Sequence, residues 1–257
     1  MAEAVLSDIR EGIMRLTVNL PERRNPLTRD VLAALYDNVR RAADGSDVRV
    51  IVIEGAGGRA FSAGGDLSNM SDGESFSDAH RGRGTMAQLF NLMWDSGIPT
   101  IAKVAGYALA GGCGLALACD FVIAADDAVF GLPEIDVGLW PFMVTVPLLR
   151  SMPPKVALDL MLTGRRVDAA EAKALGFVSQ VVAPDVLETA VGELAMTLAS
   201  KPAETVRLGR DAFYAVVDQR ASDALRLLHP MLTVALQTDA AAEGLAAFAE
   251  RRPPRWR

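Results

Sequence analysis

Apolar and polar residues alternate over residues 13–20, the period-two pattern of a half-buried strand, and Pro21 closes it. A charged loop with Arg23, Arg24 and Asn25 follows. Thr28 then stands where a helix needs its N-cap, because Val31, Leu32, Leu35 and Val39 return to one face at helical spacing. Short apolar runs at 48–53, 100–104 and 121–124 predict buried strands with helical segments between them. Residues 71–85 break this pattern with Asp72, Gly73, Glu74, His80, Arg81 and Arg83, which predicts a mobile surface loop. From Asp185 onward the periodicity is helical, over 186–198, 203–217, 223–236 and 240–250, ahead of an arginine-rich tail. Several of these faces are apolar on more than one side, which suits burial against another subunit. The pattern predicts an α/β core over residues 1–195 and an all-helical region over 196–257.

At 257 residues and 51% hydrophobic, the chain can bury a substantial core. Its net charge of -6 argues against nucleic acid as a partner. Cys113 and Cys119 are six apart, too wide for a Cys-x-x-Cys signature, and read as small core residues. No cluster of His, Cys and carboxylates has metal-ligand spacing, so no metal is expected. The longest nearly uncharged stretch, 104–119, is studded with glycine and falls short of the ~18 apolar residues of a membrane span. No secretory leader is visible, so the expectation is a cytoplasmic protein without a membrane partner.

Three segments carry chemistry. Two are rich in glycine: Phe61-Ser62-Ala63-Gly64-Gly65-Asp66-Leu67, and residues 106–114, which contain Gly106, Gly111, Gly112 and Gly114. The third is the acidic turn Phe130-Gly131-Leu132-Pro133-Glu134. Glycine lets backbone N–H groups approach a ligand closely, and two such donors converging on one oxygen form an oxyanion hole. A carboxylate downstream supplies a proton shuttle. Burial of Glu134 among Phe130, Leu132, Ile135 and Leu139 would raise its pKa toward the range useful for acid/base work.

In this order and context, the segments resemble the crotonase family, also called the enoyl-CoA hydratase/isomerase family, from about Glu22 to the C-terminus. The resemblance implies a stacked ββα superhelix, a C-terminal helical region that builds trimers or hexamers, and an acyl-CoA substrate with no other cofactor. It places the oxyanion donors at Ala63 and Gly111 and the acid/base at Glu134. Gly64, Gly65, Asp66, Leu67 and Gly114 would line the substrate site, with Asp66 more suited to bracing a loop than to catalysis. Arg23 and Arg24 match a region near the adenine and phosphate end of CoA, and Arg251 or Arg252 could reach a neighbouring subunit's ligand.

The sequence departs from the hydratase pattern at Gly114, where hydratases carry a second glutamate. One carboxylate suffices for 3,2-enoyl-CoA isomerisation, so that reaction is favoured, with hydration as the alternative. Trp140 and Phe142 would narrow the acyl pocket, whereas Met143 reads as core packing. Asp136 would point away from Glu134 on an extended stretch, His80 reads as a solvated loop residue, and His229 as structural. Entry of His80 or Asp136 into the pocket would instead favour a thioester hydrolase, dehalogenase or decarboxylase. A non-catalytic acyl-CoA binder completes the alternatives.

Overall fold

The computed structural model describes residues 3–45, 47–66 and 76–256. Among them the strands are β1 (Val5–Arg10), β2 (Ile13–Val18), β3 (Val50–Gly55), β4 (Ala60–Ser62), β5 (Thr100–Val104), β6 (Tyr107–Leu109), β7 (Phe121–Ala125), β8 (Val129–Gly131), β9 (Arg166–Asp168) and β10 (Gln180–Val182). The helices are α1 (Arg29–Ala43), α2 (Phe76–Asp95), α3 (Gly111–Ala118), α4 (Thr145–Ser151), α5 (Pro154–Thr163), α6 (Ala169–Ala174), α7 (Leu187–Ala199), α8 (Ala203–Val216), α9 (Ala221–Ala235) and α10 (Asp239–Ala249). None of these helices is long and apolar enough to cross a membrane.

Three strand pairs make the frame. In β3/β4, β5/β6 and β7/β8, the first strand joins a sheet ordered β1-β2-β3-β5-β7-β10 and the second joins a smaller sheet ordered β4-β6-β8-β9. Neighbouring members run parallel in both sheets, so each pair is stacked on the last, as the family resemblance implied. The bend between β5 and β6 falls at Gly106, at φ +63, where a Cβ would lie 2.1 Å from the Arg59 carbonyl oxygen. No residue with a side chain fits there.

The large sheet is covered on both faces. Val50 and Val52 join Ile101, Ile123 and α7, whereas Ile51 and Ile53 face the main core with α1, α2 and α3. This explains why β3 reads as a continuous apolar run and not as an alternation. In β2 the alternation is real, and Met14, Leu16 and Val18 are buried. Thr28 caps α1 by accepting the Val31 N–H at 3.2 Å.

Three expectations change. Strand β1 pairs with β2 through a turn at Glu11 and Gly12, both at positive φ, and the sequence reading had no strand there. The short strands of the small sheet were also unanticipated, since three residues carry too little periodicity to read. Residues 76–85 of the expected loop belong to α2, and residues 67–75 lie outside the described residues. Buried Met86, Leu89, Phe90, Met93 and Trp94 anchor that helix on the core and extend it through its polar start.

The helical C-terminal part begins firmly docked. Arg210 on α8 pairs with Asp120 at 3.0 Å and donates to the carbonyls of Met93 and Trp94 at 2.7 and 2.9 Å. The Tyr214 hydroxyl donates to the other Asp120 oxygen at 2.6 Å. Helix α9, by contrast, buries no residue, and Leu225, Leu232, Leu245 and Phe248 of α9 and α10 are exposed.

Candidate active site

The first glycine segment is fixed from behind by the loop that ends β2. Arg24 and Asn25 adopt left-handed backbone conformations, at φ 62 and 55. The buried Asn25 side chain holds this shape by accepting the Leu20 N–H at 3.0 Å and donating to the carbonyls of Ala60 and Ala56 at 2.7 and 2.9 Å. So fastened, the Arg24 carbonyl accepts the Ala63 N–H at 2.9 Å, and the Gly64 carbonyl accepts the Leu27 N–H at 2.8 Å. The Gly64 N–H is taken by the Ser62 hydroxyl at 3.1 Å. The Ala63 N–H is therefore already engaged within the chain, unlike the free donor that the resemblance implied. Gly64, at φ +94, turns the chain, and the half-buried Gly65 amide is the next donor, with no acceptor among the described residues.

The second segment meets the first at backbone distance. A Cβ on Gly64 would stand 2.5 Å from the Ala110 Cβ and 3.2 Å from the Gly111 nitrogen, and one on Gly112 would stand 2.5 Å from the Ser62 carbonyl oxygen. Ala110 is at φ 51, an uncommon conformation for a residue with a side chain, and immediately starts α3. Gly111 is the first residue of that helix, so its N–H is one of the donors that a helix leaves unpaired, and the helix dipole adds positive potential there. Beside it, the Met86 Cε and Leu27 Cδ1 approach the place of a Gly111 Cβ to 3.1 and 3.7 Å, giving an apolar wall.

Glu134 arrives from the neighbouring strand. The Ala110 N–H donates to the Gly131 carbonyl at 2.9 Å, which ties β8 to the start of α3. Three residues later Glu134 sits on the 3-10 turn Pro133–Val137, and its Oε2 is buried without a hydrogen-bond partner. Burial pushes its carboxyl above the ordinary value of 4.5. Its charge reaches the first turn of α3, where the Cys113 thiol is pushed up to about 12, chiefly by burial and then by Glu134. Phe130 and Leu132 are buried as expected, but Leu139 is exposed.

The other sequence-derived candidates separate. Arg23 donates to Asp66 at 2.7 Å, so Asp66 braces the loop and Arg23 is already engaged, whereas Arg24 is exposed. Gly114 is buried against Val144. Trp140 packs against the core, but Phe142 is 75% exposed and Met143 36%, because the turn around Pro141 swings both outward before α4. Met143 is thus not core, and Phe142 stands at the surface of the chain. Asp136 is exposed beside the Gly164 turn, His80 is exposed on α2, and His229 is exposed on α9. Arg252 pairs with Glu243 and Glu250 of its own chain. Leu67 lies outside the described residues.

Asn25, Met86 and Val144 were missed by the sequence reading. Only Asn25 carried a signal, since asparagine tolerates left-handed backbone better than most residues. A cavity of about 580 Å³ between Gly12, Asp47, Gly97 and Arg207 contains none of the site residues.

Comparison with known proteins agrees with this fold. The family model described as enoyl-CoA hydratase/isomerase matches residues 8–257. A Mycobacterium bovis protein named "Probable enoyl-CoA hydratase echA8" is 37% identical, over 99% of this chain and 98% of its own. The crystal structure of human enoyl Coenzyme A hydratase domain-containing protein 3 superposes with a TM-score of 0.94 at 31% identity, covering 98% of this chain and all of that one. An enoyl-CoA hydratase structure from Mycobacterium smegmatis gives a TM-score of 0.94 at 32% identity, over 98% of both chains. The chain therefore belongs to the enoyl-CoA hydratase/isomerase family and is a crotonase-fold enzyme of acyl-CoA chemistry.

Proposed function

We propose that the enzyme moves a double bond along an acyl-CoA thioester, converting a 3-enoyl to a 2-enoyl ester with one carboxylate. The thioester carbonyl oxygen lies between the N–H groups of Gly65 and Gly111, which stabilise the negative charge of the enolate. Ionised Glu134 removes a proton from C2, the electron pair delocalises onto that oxygen and, through the C3–C4 double bond, onto C4, and Glu134 returns the proton at C4 as the double bond settles between C2 and C3. The same atoms leave as arrived. The observation carrying this reading is the buried, unpartnered Oε2 of Glu134 beside the oxyanion segments.

Hydration is the second reading, because several relatives are named as enoyl-CoA hydratases. It needs water activated as well as a proton managed, and Gly114 supplies no second carboxylate. Incubation with a panel of 2-enoyl- and 3-enoyl-CoA esters, with product identification, decides between them. Double-bond migration faster than hydration supports isomerisation, and the reverse order overturns it.

The apolar faces of α9 and α10 support a further element of this reading. They form an oligomerisation region, within residues 196–257, that assembles a homotrimer or a dimer of trimers. Light scattering showing a monomer at micromolar concentration contradicts it.

A further inference from the structure

Gly111 and Gly114 lie three residues apart on α3, so position 114 is one turn beyond the oxyanion donor on nearly the same face. A Cβ at 114 would stand 2.6 Å from Cγ2 and 3.0 Å from Cγ1 of Val144. Val144 is itself 3% exposed, and its carbonyl accepts the Leu148 N–H at 3.1 Å as α4 begins, which fixes its backbone. A β-branched side chain on a fixed backbone cannot swing a flexible tip aside. The volume a side chain at 114 would need is therefore filled by the Val144 isopropyl group. The segment that supplies Glu134 runs on, ten residues later, to supply this plug.

We infer that Val144 is a specificity-determining residue: by filling the space beside Gly114 with hydrocarbon, it denies the site both a second carboxylate and a bound water. Hydration of a 2-enoyl ester adds hydroxyl to C3 and a proton to C2, so a water must be ordered there by polar partners. An apolar, close-packed slot offers none. With Val144 in place the enolate has one outcome, return of the proton. This inference rests on the isomerase reading for its consequence, but the packing of 114 against 144 stands apart from the reaction.

The test compares wild type, Gly114→Glu, Val144→Gly and the double variant in melting midpoint and in rates with 2-enoyl- and 3-enoyl-CoA. Gly114→Glu alone is expected to melt well below wild type and to gain no hydration. Adding Val144→Gly should restore about half or more of the lost midpoint and raise hydration at least about tenfold over wild type. Should Gly114→Glu not fold, the Gly114→Ala variant keeps the test open, because its single methyl meets the same contact and Val144→Gly must relieve it. A Gly114→Glu protein as stable as wild type overturns the inference. So does a double variant that folds yet hydrates no faster. Wild type that fails to isomerise overturns the isomerase reading instead, while the coupling between positions 114 and 144 still decides whether Val144 fills the slot.

Discussion

The Ala63 N–H donates to the Arg24 carbonyl oxygen at 2.9 Å, and this bond leaves Gly65 as the next amide of the first glycine segment without an acceptor among the described residues. With Ala63 and Gly64 both engaged, Gly65 and Gly111 are the pair proposed to share one oxyanion. In a complex with an acyl-CoA thioester, the carbonyl oxygen is expected about 3 Å from both nitrogens. Gly111→Pro, which deletes one donor, should lower kcat by about 10²- to 10³-fold. A complex with that oxygen on the Ala63 nitrogen contradicts the assignment.

Asn25 holds the supporting loop through three hydrogen bonds and a left-handed backbone. Asn25→Ala leaves those groups unpaired and strains φ, so urea unfolding should show a loss of about 2–4 kcal/mol. Asn25→Gly loses the same bonds without the strain and should be about 1 kcal/mol less damaging. Equal losses in both variants would remove backbone conformation from the explanation.

Legibility followed the range of each interaction. Thr28 and the large-sheet strands β2, β3, β5 and β7 were readable because a cap and an apolar run are local patterns. The engagement of the Ala63 amide was not, because it depends on a bond between residues 24 and 63 that no local pattern announces. Val144 was silent for the same reason, since only the folded chain brings it against Gly114. Met143 misled because hydrophobicity alone does not say on which side of a turn a residue emerges.

Arg210 and Asp120 form an ion pair nearly out of solvent, with side chains 8% and 15% exposed. Arg210→Ala leaves a buried carboxylate uncompensated and should cost about 3–5 kcal/mol in denaturant unfolding. A change within about 0.5 kcal/mol would show that α8 is held by its apolar contacts alone.

Glu134 binds its proton more tightly in the folded than in the unfolded chain, because burial raises its pKa above 4.5. Its favourable contribution is full below the unfolded value and is lost as pH rises through the folded one. Glu134→Gln, neutral throughout, should therefore melt higher than wild type at about pH 7–8 and lose that advantage near about pH 4. A gain confined to acid pH has the wrong sign.

The most direct measurement is turnover of a 3-enoyl-CoA by Glu134→Gln beside wild type, with acyl-CoA binding measured on the same samples. The variant keeps the shape and removes the base, so kcat should fall by about 10²-fold or more while binding stays within about threefold. Full activity in Glu134→Gln would contradict proton transfer by this carboxylate.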